Sequence, residues 1–304
     1  MSAVVTLIAR PNTGRELAAL AEALGAAILG AGGRTGAPVW LGPGEALDLP
    51  FEGLDLEAAQ ALCQARLDTR PLDWLVQPAE RRRKAVFVAD MESTIIGQEM
   101  LDELAETIGA RDRVADITAR AMAGELDFAA ALAERVGLLR GLPRSLLDET
   151  AERMTLNPGA RTLVRSLAAQ GVRTALVSGG FHCFADPIAA ACGFHEVLAN
   201  RLEIEDGHLT GRVEEPVLGG AGKLAALERL AKEAKIGLAA CCAIGDGAND
   251  GPMLAAAGLG IAYRGKPPAQ AAAKTNLAHG DLTAVLYLQG YGKRDFVAEH
   301  AAEA

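Results

Sequence analysis

Ala85-Val86-Phe87-Val88-Ala89-Asp90-Met91-Glu92-Ser93-Thr94 is the stretch on which the reading of this sequence turns. An apolar run of strand length stops at two carboxylates and two hydroxyls. A run that is apolar throughout suits a strand covered on both faces, as in a parallel sheet between layers of helices. Further runs of strand length occur at 172–177 (VRTALV), 240–244 (ACCAI) and 259–263 (LGIAY). Segments of helical period separate them, for example Leu224, Leu227, Leu230 and Ala234. This alternation predicts an α/β fold around a parallel sheet.

In open α/β sheets, ligands bind outside the carboxyl ends of the strands. The first run ends in Asp90-Met91-Glu92-Ser93-Thr94, the second in Ser178-Gly179-Gly180, and the third in Gly245-Asp246-Gly247-Ala248-Asn249-Asp250. A lone Asp or Ser after a strand is usually a turn residue or a helix N-cap. Acidic groups, a hydroxyl and glycine amides at three strand ends together are harder to read as turns. Asp90, Glu92, Asp246 and Asp250 in one crevice would repel one another unless a cation lay among them. Oxygen donors without a His or Cys cluster point to Mg²⁺. Competing motifs fail on spacing. Gly219-Gly220-Ala221-Gly222-Lys223-Leu224 has Leu where a P-loop needs Ser or Thr, and Asp250 stands where a dinucleotide fingerprint needs its third glycine. Ser178 lacks the G-x-S-x-G elbow of a serine hydrolase. Lys223 remains as a cation at the start of a helix, well placed to draw an anion.

Upstream, residues 3–9 read as a strand and 14–28 as a helix. Short apolar pieces follow at Val39–Leu41 and Leu47–Phe51, then a helix-like 55–67 and an apolar piece at Trp74–Val76. The polar stretch Gln77–Lys84 reads as a domain boundary after a β-α-β-β-α-β unit. Residues 99–153 are helical in pattern and carry no strand signal, as expected of a cap inserted over the site. A short hairpin is expected around Asp206-Gly207.

The 304 residues are half hydrophobic, enough for a sizeable core, and the net charge of −9 argues against a nucleic-acid or anionic-membrane partner. The basic run Arg81-Arg82-Arg83-Lys84 reads as a solvated linker. Cys63, Cys183, Cys192, Cys241 and Cys242 show no C-x-x-C spacing and read as thiols of a reducing compartment. With no leader-like N-terminus and no long apolar span, a cytoplasmic protein is the expectation.

Asp90-Met91-Glu92-Ser93-Thr94, Ser178-Gly179-Gly180-Phe181, Lys223 and Gly245–Asp250 resemble, in order, the four motifs of the haloacid dehalogenase superfamily, and within it those of the phosphoserine phosphatases. The first motif, D-x-D-x-T, is matched except at its second acidic position, where Glu92 stands. The likeness extends through the cap, where Glu99, the stretch Ala121-Met122-Ala123-Gly124, Phe128 and Arg135 are similar to phosphoserine-binding positions.

The resemblance implies a Rossmann-like parallel-sheet core over 85–98 and 154–294, with a small helical cap over 99–153. It further implies an N-terminal α+β domain over 1–80 similar to an ACT-type regulatory module, which is also the expected surface for any homo-oligomer. The implied reaction is hydrolysis of O-phosphoserine, the last step of serine biosynthesis, through an aspartyl-phosphate on Asp90. In that scheme Mg²⁺ is held by Asp90, the Glu92 carbonyl and Asp246, with Asp250 and Asn249 orienting the groups around it. Ser178, Gly179 and Lys223 bind the phosphoryl oxygens, and Glu92 serves as acid and base. Glu99 meets the substrate ammonium, Arg135 its carboxylate, and Met122 and Phe128 form an apolar lid. Glu92 also keeps two alternatives open: action on another small phosphate, or a ligand sensor that has lost turnover.

Overall fold

The structure, a computed structural model, describes residues 2–10, 14–122 and 125–298. Its N-terminal part runs β1 (Ala3–Ala9), α1 (Leu17–Gly30), β2 (Arg34–Thr35), β3 (Val39–Gly42), β4 (Ala46–Glu52), α2 (Leu56–Leu67) and β5 (Leu72–Pro78). β1 lies between β4 and β5, antiparallel to both, and β2 and β3 pair with β4. This is the split β-α-β arrangement. α2 starts where the Asp55 side chain accepts the Ala58 N–H at 2.7 Å. The helices cover one face of the sheet, joining Leu7, Leu17, Leu24, Ile28, Leu47, Phe51 and Cys63 in one core. Thr6 and Asp48 are buried away from that cluster. The Thr6 hydroxyl donates to Asp48 at 2.6 Å and Arg82 donates to Asp48 at 2.7 Å, so the buried carboxylate is compensated.

The second part begins with β6 (Val86–Ala89), then α3 (Met100–Thr107), α4 (Arg111–Met122), α5 (Phe128–Gly137), α6 (Ser145–Ala151), α7 (Ala160–Ala169), β7 (Arg173–Phe181), α8 (His182–Cys192) and β8 (Glu196–Asn200). It continues through β9 (Leu202–Glu205), β10 (His208–Val213), α9 (Gly220–Glu233), β11 (Cys241–Gly245), α10 (Gly251–Ala256), β12 (Leu259–Tyr263), α11 (Pro267–Ala272), β13 (Thr275–Leu277) and α12 (Ala284–Leu288). Six strands form a parallel sheet in the order β13-β12-β11-β6-β7-β8. Alternation along β6 explains its apolar run. Phe87 and Ala89 join a core with Leu163, Leu167 and Phe184, whereas Val86 and Val88 join another with Leu227, Leu230 and Leu254. The chain is therefore an α/β protein with a doubly covered parallel sheet and an N-terminal antiparallel α+β unit.

Two details depart from the sequence reading. β7 continues beyond 177 to Phe181, with a register shift against β8 between Val177 and Phe181. β8 and β13 had no clear sequence signal, because both are short edge strands of mixed polarity. The expected hairpin is present as β9–β10. Its turn has positive φ at both Asp206 (48°) and Gly207 (76°), the geometry expected of a two-residue hairpin turn. The hairpin lies against the helical insertion: Gly141 donates its N–H to Leu209 O at 2.8 Å and Arg144 donates to Gly207 O at 2.9 Å.

The two parts are tied by Asp73, a buried residue of β5. Its carboxylate accepts the N–H groups of Ala278 (2.8 Å), His279 (3.2 Å) and Gly280 (2.6 Å), just beyond β13. Charge-assisted bonds of this kind are stronger than neutral ones. Among the described residues no helix is long and apolar enough to cross a membrane.

Candidate active site

Because β6, β7 and β11 run parallel, their carboxyl ends open at one rim of the sheet. Asp90 follows β6, and its N–H extends the sheet by donating to Ile244 O at 3.0 Å. Below it lies Lys223, fully buried on the first turn of α9. Its ammonium stands 2.7 Å from Asp90 Oδ1 and 2.6 Å from Asp250 Oδ1. Asp250 also accepts the N–H groups of Asp246 (3.1 Å) and Gly247 (2.9 Å), which fixes the turn after β11. Gly245 makes that turn possible, since a β-carbon there would lie 2.4 Å from Asp250 Cγ.

One carboxylate oxygen from each of Asp90, Asp246 and Asp250 lies within 4.8 Å of the others. Burial pushes the Asp90 carboxyl well above the ordinary range, and repulsion from Asp250 adds to it, against the pull of Lys223. Burial opposes the charge on Lys223, but Asp90 and Asp250 hold its pKa above the ordinary lysine value.

Ser178 is buried, and its Oγ accepts the Gly180 N–H at 2.9 Å. Asn200, at the end of β8, donates to Gly179 O at 2.8 Å and accepts the Leu218 N–H at 2.6 Å, joining the end of β7 to the loop before α9. Phe128, the first residue of α5, covers both segments. A β-carbon on Gly179 would lie 3.2 Å from Phe128 Cζ, and one on Gly219 2.9 Å from Phe128 Cδ1.

Glu92 accepts the N–H of Met100, the first residue of α3, at 2.9 Å. Burial pushes its carboxyl up to about 7, and the neighbouring Glu99 adds to the effect, while the Met100 N–H, Lys223 and Arg135 oppose it. The next residue, Ser93, adopts φ 53°, a left-handed conformation costly for a residue with a side chain. Its hydroxyl donates to Glu99 Oε1 at 2.7 Å. Arg135 on α5 donates through Nε to Ala131 O at 3.3 Å and forms no ion pair among the described residues.

Asp90, Glu92, Glu99, Phe128, Arg135, Gly179, Asp246 and Asn249 line one cavity of about 680 Å³, with Ser178, Lys223 and Asp250 outside its lining. Met122 ends α4; its side chain, with Ala123 and Gly124, falls outside the described residues. A larger cavity of about 1170 Å³ lies between the two parts of the chain. Of its two acids, Glu45 is taken by the Tyr287 hydroxyl at 2.6 Å and Lys293 at 2.8 Å, and Asp281 accepts the Thr283 hydroxyl at 2.5 Å; the cavity lies away from the strand ends that gather the carboxylates.

Two residues of the site escaped the sequence reading. Asn200 sits on the unrecognised strand β8. Lys266 follows β12, a strand that was recognised but whose end carries no acid. Its ammonium lies 3.0 Å from Asp246 Oδ2 and 3.8 Å from Glu99 Oε1.

Five carboxyl groups (Asp90, Glu92, Glu99, Asp246 and Asp250) thus gather with three cationic side chains, Lys223, Lys266 and Arg135. When all are ionised, the excess of negative charge and the all-oxygen donor set suit a hard cation. Asp250 has both oxygens engaged, Oδ1 by Lys223 and Oδ2 by the N–H groups of Asp246 and Gly247, whereas Asp90 meets Lys223 through Oδ1 and Asp246 meets Lys266 through Oδ2, so among the described residues Asp90 and Asp246 are the carboxylates best able to receive one.

Residues 87–255 match the family described as haloacid dehalogenase-like hydrolase. A phosphoserine phosphatase of Mycobacterium tuberculosis is 43% identical over 222 residues, which is 73% of this chain but only 54% of that protein. The phosphoserine phosphatase of Lactococcus lactis is 43% identical over 203 residues, covering 67% of this chain and 94% of the relative. Among solved structures, a haloacid dehalogenase family hydrolase of Salmonella enterica superposes with a TM-score of 0.79 at 28% identity, covering 95% of this chain and 98% of its own. With this match over the parallel-sheet part and its strand-end acids, the chain belongs to the haloacid dehalogenase-like hydrolase family.

Proposed function

We propose that the chain is a Mg²⁺-dependent phosphatase that hydrolyses O-phosphoserine through an aspartyl-phosphate on Asp90. In this reading residues 85–98 and 154–294 form the catalytic core, 99–153 the cap and 1–80 a separate N-terminal domain. One observation carries it: a buried carboxylate, Asp90, and a second carboxyl with a pKa near 7, Glu92, line the same cavity as the cap residues Glu99, Phe128 and Arg135. The names of the relatives support phosphoserine in particular.

Asp90, the Glu92 carbonyl and Asp246 would hold Mg²⁺, which when bound supplies positive charge that lets a carboxylate approach a phosphate dianion. An Asp90 oxygen attacks phosphorus as the bond to the serine oxygen breaks, and the phosphoryl group passes to the enzyme. Lys223, the Ser178 hydroxyl and the Gly179 N–H bind the phosphoryl oxygens, Asn249 helps to orient the groups around the phosphate, and Asp250 keeps the turn after β11 in place. A carboxyl with a pKa near neutrality suits both halves of the reaction. Protonated Glu92 gives its proton to the departing serine oxygen. The resulting carboxylate then takes a proton from the water that attacks the phosphoenzyme, releasing phosphate and restoring Asp90.

Above the reacting centre, Glu99 meets the substrate ammonium and Arg135, which forms no ion pair among the described residues, meets its carboxylate. Phe128 closes over Gly179 and excludes water. Arg135→Ala is expected to raise KM for phosphoserine by about 10- to 100-fold, the scale of a lost hydrogen bond between charged groups. KM for p-nitrophenyl phosphate, which has no carboxylate, should change much less. Steady-state kinetics on both substrates check this, and equal losses would remove Arg135 from substrate recognition.

A further inference from the structure

Two lysines reach the carboxylates of this site, and they differ in one respect. Lys223 is fully buried between Asp90 and Asp250 and has nowhere to move. Lys266 has a side chain 63% exposed, yet its ammonium spans the cleft between Asp246 on the core and Glu99, the residue just before α3 of the cap.

The backbone beneath it is fixed. Lys266 donates its own N–H to Asp246 O at 2.8 Å, its carbonyl accepts the Gln270 N–H at 3.1 Å, and Arg264 donates to Leu277 O at 2.8 Å. A rigid base thus carries a long, solvated side chain whose charged end alone is free to swing.

Asp246 and Glu99 repel each other across this gap: burial raises the Glu99 carboxyl, and Asp246 adds to the rise, while Ser93 and Lys266 oppose it. Lys266 relieves that repulsion with a single positive charge. In the proposed reaction the same two carboxylates receive two different cations, the metal at Asp246 and the substrate ammonium at Glu99.

We propose that Lys266 is a displaceable counter-ion, which holds Asp246 and Glu99 until a divalent cation takes the first and the ammonium of an amino-acid phosphate takes the second. This rests on the reading of Asp246 as a cation ligand. Both events must move the same ammonium, so cation entry frees Glu99 for the substrate, and Lys266 weakens cation binding when substrate is absent.

Calorimetric titration of Mg²⁺ into the full chain without substrate tests this. Relative to the parent, Lys266→Met and Lys266→Gln should bind Mg²⁺ about three- to fivefold more tightly, the scale set by an exposed ion pair. Lys266→Arg, which keeps the charge, should stay close to the parent. Circular dichroism of each variant identifies those that keep the fold, and either neutral variant suffices. Unchanged or weaker binding in a folded neutral variant overturns the counter-ion role while leaving the phosphatase reading intact. Absence of Mg²⁺ binding by the parent overturns the cation reading, and the counter-ion role falls with it.

Discussion

Asp90→Asn is expected to abolish phosphate release from phosphoserine, a loss of roughly 10⁴-fold or more, as when a covalent nucleophile is removed from an enzyme. The amide has almost the shape of the carboxylate but cannot attack phosphorus. The fold should survive the change. In the parent, burial and Asp250 both disfavour a charge at position 90, so a neutral group there removes a cost even as it weakens the contact with Lys223. The melting temperature without metal should therefore stay close to that of the parent, whereas stabilisation by added Mg²⁺ should shrink. Phosphate-release assays and thermal melts read both outcomes. Substantial turnover by Asp90→Asn would exclude the aspartyl-phosphate.

Glu92→Gln should lower phosphoserine hydrolysis by roughly 10²- to 10⁴-fold, the usual contribution of a general acid or base. Gln keeps an oxygen to accept the Met100 N–H, so the junction between core and cap should hold while the proton is lost. The loss should be greatest with phosphoserine, whose alkoxide leaving group needs a proton, and smaller with p-nitrophenyl phosphate, whose phenolate does not. Equal rates for parent and Glu92→Gln on phosphoserine would show that the carboxyl does no proton transfer. The test bears on the departure from the family motif, because Glu in place of Asp carries the carboxyl about one methylene further from the backbone. A misplacement of about 1 Å in a reacting group can cost about 10²-fold. The turn at Ser93 and the bond to Met100 are the features that set where the longer side chain points.

What could be read in the sequence follows from burial. β6, β11 and β12 are buried along their whole length, so hydrophobicity alone marks them. β8 is half-exposed over most of its length and its apolar run is only Val197-Leu198-Ala199, while three-residue β13 has an exposed centre; neither offers an apolar run of strand length to give it away. Asn200, at the end of β8, was missed for that reason. Asp90, Ser178 and Asp246 could be grouped because each lies just past the apolar run that marks its strand, and parallel strands place such residues on one rim. Lys266 follows a recognised strand too, but its relation to Asp246 and Glu99 depends on how a loop folds back across the sheet. The docking of the β9–β10 hairpin on the helical insertion is likewise tertiary, joining residues 141–144 to 207–209. The clamp from Asp73 to the amides of 278–280 spans about two hundred residues, and no local pattern announces it.

The most direct test of the central claim is phosphate release from phosphoserine by the full chain, followed with Mg²⁺, after stringent chelation, and after Mg²⁺ is restored, beside a panel of phosphomonoesters without an amino-acid group. Release with Mg²⁺, loss on chelation, recovery on re-addition, and a higher kcat/KM for phosphoserine than for the other esters are expected. Binding of phosphoserine without release of phosphate at any Mg²⁺ concentration would contradict the central claim.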